Sequence, residues 1–245
     1  MNSIACILSL TCAVLLNSPM ASVRIFAADS TPRVFIIDGA ALTIAKQRTQ
    51  HQDGSLKPAL VKLTREADRA LTNEPLSVMG KKIAPPSGDR HDYMSLAPYW
   101  WPDPDSRNTL PYVRRDGETN PERHSIADRQ NLENTVASVK TLALAYYFTA
   151  NENYAKNAAT RLQVWFLDPL TKMNPNLKYA QGVPGRSDGR AAGIIETHNL
   201  PELIDAAALL AGSAAWSQAH QRQLQSWFAL YLTWLIESTQ GRAEA

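Results

Sequence analysis

The stretch 125-SIADRQNLENTVASVKTLALAYYFT-149 decides the fold class. Leu132, Val136, Val139, Leu142, Ala143 and Tyr146 recur at spacings of three and four, which lines one face of a helix with apolar side chains. A short polar turn separates it from 151-NENYAKNAATRLQVWFL-167, which carries the same period. Two helices joined so tightly predict an antiparallel hairpin.

Toward the C-terminus the pattern recurs. An irregular loop over 168–190 leads to a predicted helix from about Ala192 to Ala211, then to a last helix, 217-SQAHQRQLQSWFALYLTWLIEST-239. "LQVWF" ends at Phe166 and "LQSWF" at Phe228, each after an Ala- and Leu-rich helix and a polar turn. Repeated hairpins that bury their faces against neighbours predict an all-α architecture, an α-solenoid or an α/α toroid. Toward the N-terminus, helices are expected over Asp38–Gln50 and Lys57–Leu71, the second with Pro58 in its first turn. Between Thr72 and Arg123 no period is sustained, and a loop this long in a compact domain is usually functional.

At 245 residues, with 44% hydrophobic and 20% charged residues, the composition is that of a folded globular chain. The formal net charge of +2, on scattered basic residues, excludes nucleic acid as the expected partner. Ile4–Leu16 is apolar and uncharged but too short for a bilayer span of about 20 residues. With Ser18, Ala21, Ala27 and Ala28 following, residues 1–28 are expected to be a signal peptide, and 29–245 the folded domain. That leader predicts a secreted or periplasmic protein with no membrane partner after cleavage. Both cysteines, Cys6 and Cys12, fall inside it, so no disulfide or cysteine metal site is expected.

Two irregular segments hold the candidate site. In 91-HDYMSLAPYWWPDP-104, Tyr99, Trp100 and Trp101 lie where prolines forbid regular structure. Either they offer flat faces on which sugar rings stack, or some of them plug the core. The span 173–206 gathers Asn174, Asn176, Lys178, Tyr179, Gln181, Arg186, Arg190, Glu196, His198 and Asn199. His198 is either a structural histidine or a base, and Glu196 either a structural partner or part of the site. No H-E-x-x-H, P-loop or G-x-S-x-G motif occurs, and no metal-ligand cluster stands out.

"HDYMSLAPYWWPDP", "LPYVRRDGETNPE", "LALAYYFT", "WFLDPLTKMNPNLKYAQGVPG" and "GIIETHNL", in that order, resemble the alginate-lyase family of polysaccharide lyases. The resemblance runs from about Leu60 to the C-terminus. It implies an α/α toroid, no cofactor, and an anionic polysaccharide substrate, a polyuronate cleaved by β-elimination. That reaction removes the proton on C5 after the neighbouring carboxylate has been neutralised, while an acid protonates the leaving oxygen. The expected catalytic set is His198, Tyr179, Arg190 and Asn199. The expected substrate-binding set is Tyr99, Trp100, Trp101, His91, Asn176, Arg114 and Arg115. Family members also carry an Asn-Asn-His segment after the helix corresponding to "WLIEST", whereas this sequence ends at "STQGRAEA". The expectation is therefore an incomplete toroid, weakly active as a lyase, or else a non-catalytic saccharide-binding relative.

Overall fold

The structure, a computed structural model, describes residues 31–245. The expected signal peptide lies outside the described residues. The body is built of helices: α1 (Gly39–Gln50), α2 (Lys57–Leu71), α3 (Asp128–Thr149), α4 (Glu152–Leu162), α5 (Leu200–Leu209), α6 (Gln218–Glu237) and the short α7 (Thr239–Glu244). Among the described residues no helix is long and apolar enough to cross a membrane.

α3 is the centre of the core, flanked by α2, α4 and α5. Its predicted stripe is buried: Leu132, Val136, Val139, Leu142 and Ala143 have almost no exposed surface. α3 ends at Ala150, which takes the left-handed conformation at φ 54° and donates its N–H to the Tyr146 carbonyl. Asn151 then caps α4 by accepting from the Asn153 N–H. This is the tight hairpin that the spacing predicts. Helical hairpins of this kind are the repeating unit of α/α toroids.

The two copies of the repeat meet. After α4 the chain widens into one π-type turn, Gln163–Leu167, that buries Trp165 and Phe166. The Phe166 ring stands edge-on to Trp227 of α6, centroids 4.7 Å apart, and lies parallel to Phe228 at 6.0 Å. The copies differ in their surroundings. Trp227 donates its Nε1–H to the Met173 carbonyl at 2.7 Å, while Nε1 of Trp165 is buried without an acceptor among the described residues.

Two expectations need correction. The single helix expected from Ala192 to Ala211 is split: a three-ten helix covers Ala191–Thr197, His198 and Asn199 form a break, and α5 begins at Leu200. Pro201 in the first turn of α5 has no N–H to bond the Thr197 carbonyl, and its ring crowds that carbonyl, which ends the preceding helix there. The segment 72–123, expected to lack regular structure, carries a three-ten turn (Val78–Gly80) and three short strands, β1 (Met94–Leu96), β2 (Trp100–Trp101) and β3 (Val113–Arg114). β2 and β3 pair antiparallel, Trp100 opposite Arg114. β1 pairs parallel with β4 (Tyr179–Gly182) from the second loop, Met94 opposite Tyr179. The two long loops are thereby one structure.

Buried polar contacts fasten this loop structure to the helices. Lys81 and Asp128 form an ion pair at 3.0 Å with no exposed side-chain surface on either partner. The same Asp128 oxygen accepts from the Met94 N–H at 3.0 Å, which ties β1 to the start of α3. At the other end of the fold, Asp205 of α5 accepts from the backbone N–H groups of Phe35, Ile36 and Ile37, holding the chain that enters α1.

Candidate active site

The site grows from the junction of the two loops. Gly189 and Gly193 let the second loop press against β4: a Cβ on Gly189 would stand 2.0 Å from the Lys178 carbonyl oxygen, and one on Gly193 would stand 2.5 Å from the Ala180 Cβ. That close approach carries Arg186 and Arg190 to β2. Trp100 is half-buried there, with the Arg186 guanidinium 5.3 Å and the Arg190 guanidinium 5.9 Å from its ring centroid. Arg186 donates from Nε to the Tyr112 carbonyl, and Arg190 from Nη2 to Oε1 of Gln181 at 2.7 Å. Both acceptors are neutral, and among the described residues neither arginine forms an ion pair. Arg190 also has a buried Nε–H without an acceptor. Its pKa is lowered by burial and then by the like charge of Arg114.

None of the three aromatics plugs the core. Tyr99 is 42% exposed, and Trp101 is half-buried under the Arg115 guanidinium at 5.4 Å, its Nε1–H donated to the Glu118 carbonyl. Arg114 is exposed and pairs with Asp116. Trp100 is thus the aromatic that faces the second loop.

Beneath Arg190 sits a buried polar cluster. Glu196 accepts from the Tyr93 hydroxyl at 2.8 Å and the Ser95 hydroxyl at 2.6 Å. Ser95 Oγ accepts from the Gln181 N–H at 2.8 Å. Burial pushes the Glu196 carboxyl up, against the downward pull of those hydroxyls. Burial first, and then the Glu196 charge, hold the Tyr93 hydroxyl well above its ordinary value.

The other candidates are distributed. His198 is exposed, at the C-terminal end of the three-ten helix whose N-terminal end is Arg190. At about 2 Å rise per residue these two stand roughly 16 Å apart along the axis. The His198 Nδ1 is 3.0 Å from the Ile195 carbonyl, which can only accept, so Nδ1 is the donor in this contact. Asn199 beside it has a buried Oδ1 without a donor. Tyr179 is 4% exposed, with the Lys178 ammonium 5.2 Å from its ring centroid. His91 and Asn176 lie in a different cluster. His91 donates from Nδ1 to the Lys172 carbonyl, and Asn176 and Asn174 donate to Asp92, joining the loops rather than facing Trp100. Among the described residues no group of His, Cys, Asp or Glu is arranged to hold a metal ion.

A body of helical hairpins crowned by a loop structure defines an α/α protein as the class to compare. Residues 77–245 match the alginate lyase family, and the chain belongs to it. Its fold is similar to that of an alginate lyase from Bacteroides ovatus, with a TM-score of 0.81 and 40% identity, over 86% of this chain and 55% of that one. The chain thus spans about half the length of that lyase. No curated protein matches it.

Proposed function

We propose that this protein acts on a uronic-acid polymer, alginate or a related polyuronate, by β-elimination. The observation that carries the reading is Trp100 with the guanidiniums of Arg186 and Arg190 at 5.3 Å and 5.9 Å from its ring centroid, two cations bound only to neutral acceptors. A sugar ring packs against the part of the indole that the guanidiniums leave open, and a carboxylate on that ring meets them. A neutral glycan has no use for both charges. In this reading Arg190 serves the uronate on Trp100, and the reacting uronate lies further along, at His198 and Asn199. Asn199 helps to neutralise its carboxylate, Nε2 of His198 removes the C5 proton, and Tyr179 is the candidate acid. Residues 1–28, read as a signal peptide, place the protein outside the cytosol.

The second reading is a saccharide-binding protein without turnover. It is favoured by the burial of Tyr179 and by the separation of Arg190 from His198. One experiment addresses both. Purified protein is offered alginate and glucuronan, and ultraviolet absorbance of the unsaturated product is followed. Turnover that is lost in His198→Ala supports the lyase. Binding of either polymer without product supports the second reading, and no binding of any polyuronate overturns both.

A further inference from the structure

The buried cluster under the Trp100 subsite contains one residue whose chemistry the lyase reading does not use. Gln181 is 6% exposed and sits at φ 50°, the left-handed region that residues with a Cβ seldom occupy. Strain of this kind persists where the surroundings enforce it, and it collects at functional positions. Here the surroundings are explicit. The Gln181 N–H is fixed by Ser95 Oγ, and that hydroxyl is itself fixed by Glu196. The side-chain carbonyl accepts from Arg190 Nη2. A guanidinium only donates, so the amide oxygen is the atom that faces Arg190.

We infer that Gln181 is a positioning residue that sets the charge selectivity of the Trp100 subsite, by holding Arg190 on a neutral acceptor and keeping it apart from the buried carboxylate of Glu196. The inference rests on the polyuronate reading above. A carboxylate at 181 would pair with Arg190 and cancel its charge. An apolar side chain would free Arg190 to turn toward Glu196, the one carboxylate that raises its pKa. An amide avoids both outcomes, so the guanidinium keeps its charge beside the indole.

The test measures binding of an alginate tetrasaccharide and of its carboxyl-reduced counterpart by calorimetry. The proteins are wild type, Gln181→Met, Arg190→Met and the double variant. Gln181→Met should lower affinity for the charged tetrasaccharide about tenfold, as expected when a charge-assisted contact is misplaced. Affinity for the reduced one should be unchanged. In the Arg190→Met background the second substitution should have no further effect, because Gln181 acts through Arg190. If Gln181→Met does not fold, Gln181→Asn replaces it. Asparagine tolerates the left-handed conformation, and its amide falls one methylene short of Arg190. Equal loss on both tetrasaccharides, or no loss on the charged one, overturns the inference while leaving the polyuronate reading intact. If the wild type does not bind the alginate tetrasaccharide, a glucuronan tetrasaccharide and its reduced counterpart replace the pair, and failure to bind either charged tetrasaccharide overturns that reading, and the inference with it.

Discussion

On the proposed function Trp100 should matter more to binding than to stability, because its ring is half-buried at the surface of the loop structure and outside the helical core. Trp100→Ala should weaken binding of a uronate oligosaccharide by about 1–2 kcal/mol, roughly tenfold, since it removes both the stacking face and the platform for two guanidiniums. Thermal melting should change little. A variant that melts much lower while its affinity is preserved would assign Trp100 to structure. Asp205 is the opposite case. Its carboxylate is fully buried and accepts three backbone N–H groups that have no other acceptor in the described structure. Asp205→Ala should cost on the order of 2–4 kcal/mol, read as a lower denaturation midpoint, with saccharide affinity retained. Aromatic density made Trp100 a candidate from the sequence, and the polar span 173–206 held Arg190. Tyr93, Ser95 and Lys81 were not legible as site or anchor residues. Each acts through a partner far along the chain, and no local spacing records that.

At the scale of elements, the long periodic helices were readable because burial of one face imposes the period directly. α2 runs over Lys57–Leu71 and α3 follows the stripe from Leu132 onward, as expected. Strands of two to four residues are too short to display a period, so β1 to β4 were invisible, and with them the joining of the two loops. The break at His198 had a signal in Pro201, whose missing N–H and bulky ring act on the carbonyl four residues earlier and compete with the helical pattern on both sides. The α3–α4 turn supplies a prediction of its own. Ala150 is exposed and left-handed, a conformation in which its Cβ is strained and glycine is not. Ala150→Gly should raise stability by about 0.5–1 kcal/mol, because relief of that strain exceeds the extra freedom glycine has when unfolded. An unchanged or lower melting temperature would contradict it.

For the whole molecule, the join between loop structure and helices depends on a buried charge pair, and this makes stability depend on pH. Burial raises Asp128 from its ordinary value to about 6, more than the attraction of Lys81 lowers it. Glu196 is raised by burial as well. A carboxyl whose pKa is higher folded than unfolded binds more protons in the folded state, so its contribution is full at low pH and is lost as pH rises through the folded value. Lys81 is lowered by burial, and its opposite effect falls in the alkaline range below its ordinary value. Between about pH 8 and about pH 5 the Asp128 contribution should therefore increase stability by on the order of 1 kcal/mol, measured by urea unfolding. Asp128→Ala removes the oxygen that accepts from the Lys81 ammonium and from the Met94 N–H, which protonation leaves in place, and should cost about 3–5 kcal/mol. The double variant Lys81→Met/Asp128→Leu removes both charges together. It should recover most of that loss and keep only the pH dependence that comes from Glu196. If the double variant follows pH as steeply as the wild type, the pair is not the source of the dependence. If it is no more stable than Asp128→Ala, the hydrogen bonds from Lys81 to the Val78 and Arg90 carbonyls, and from the Met94 N–H to Asp128, hold the loops rather than the charges.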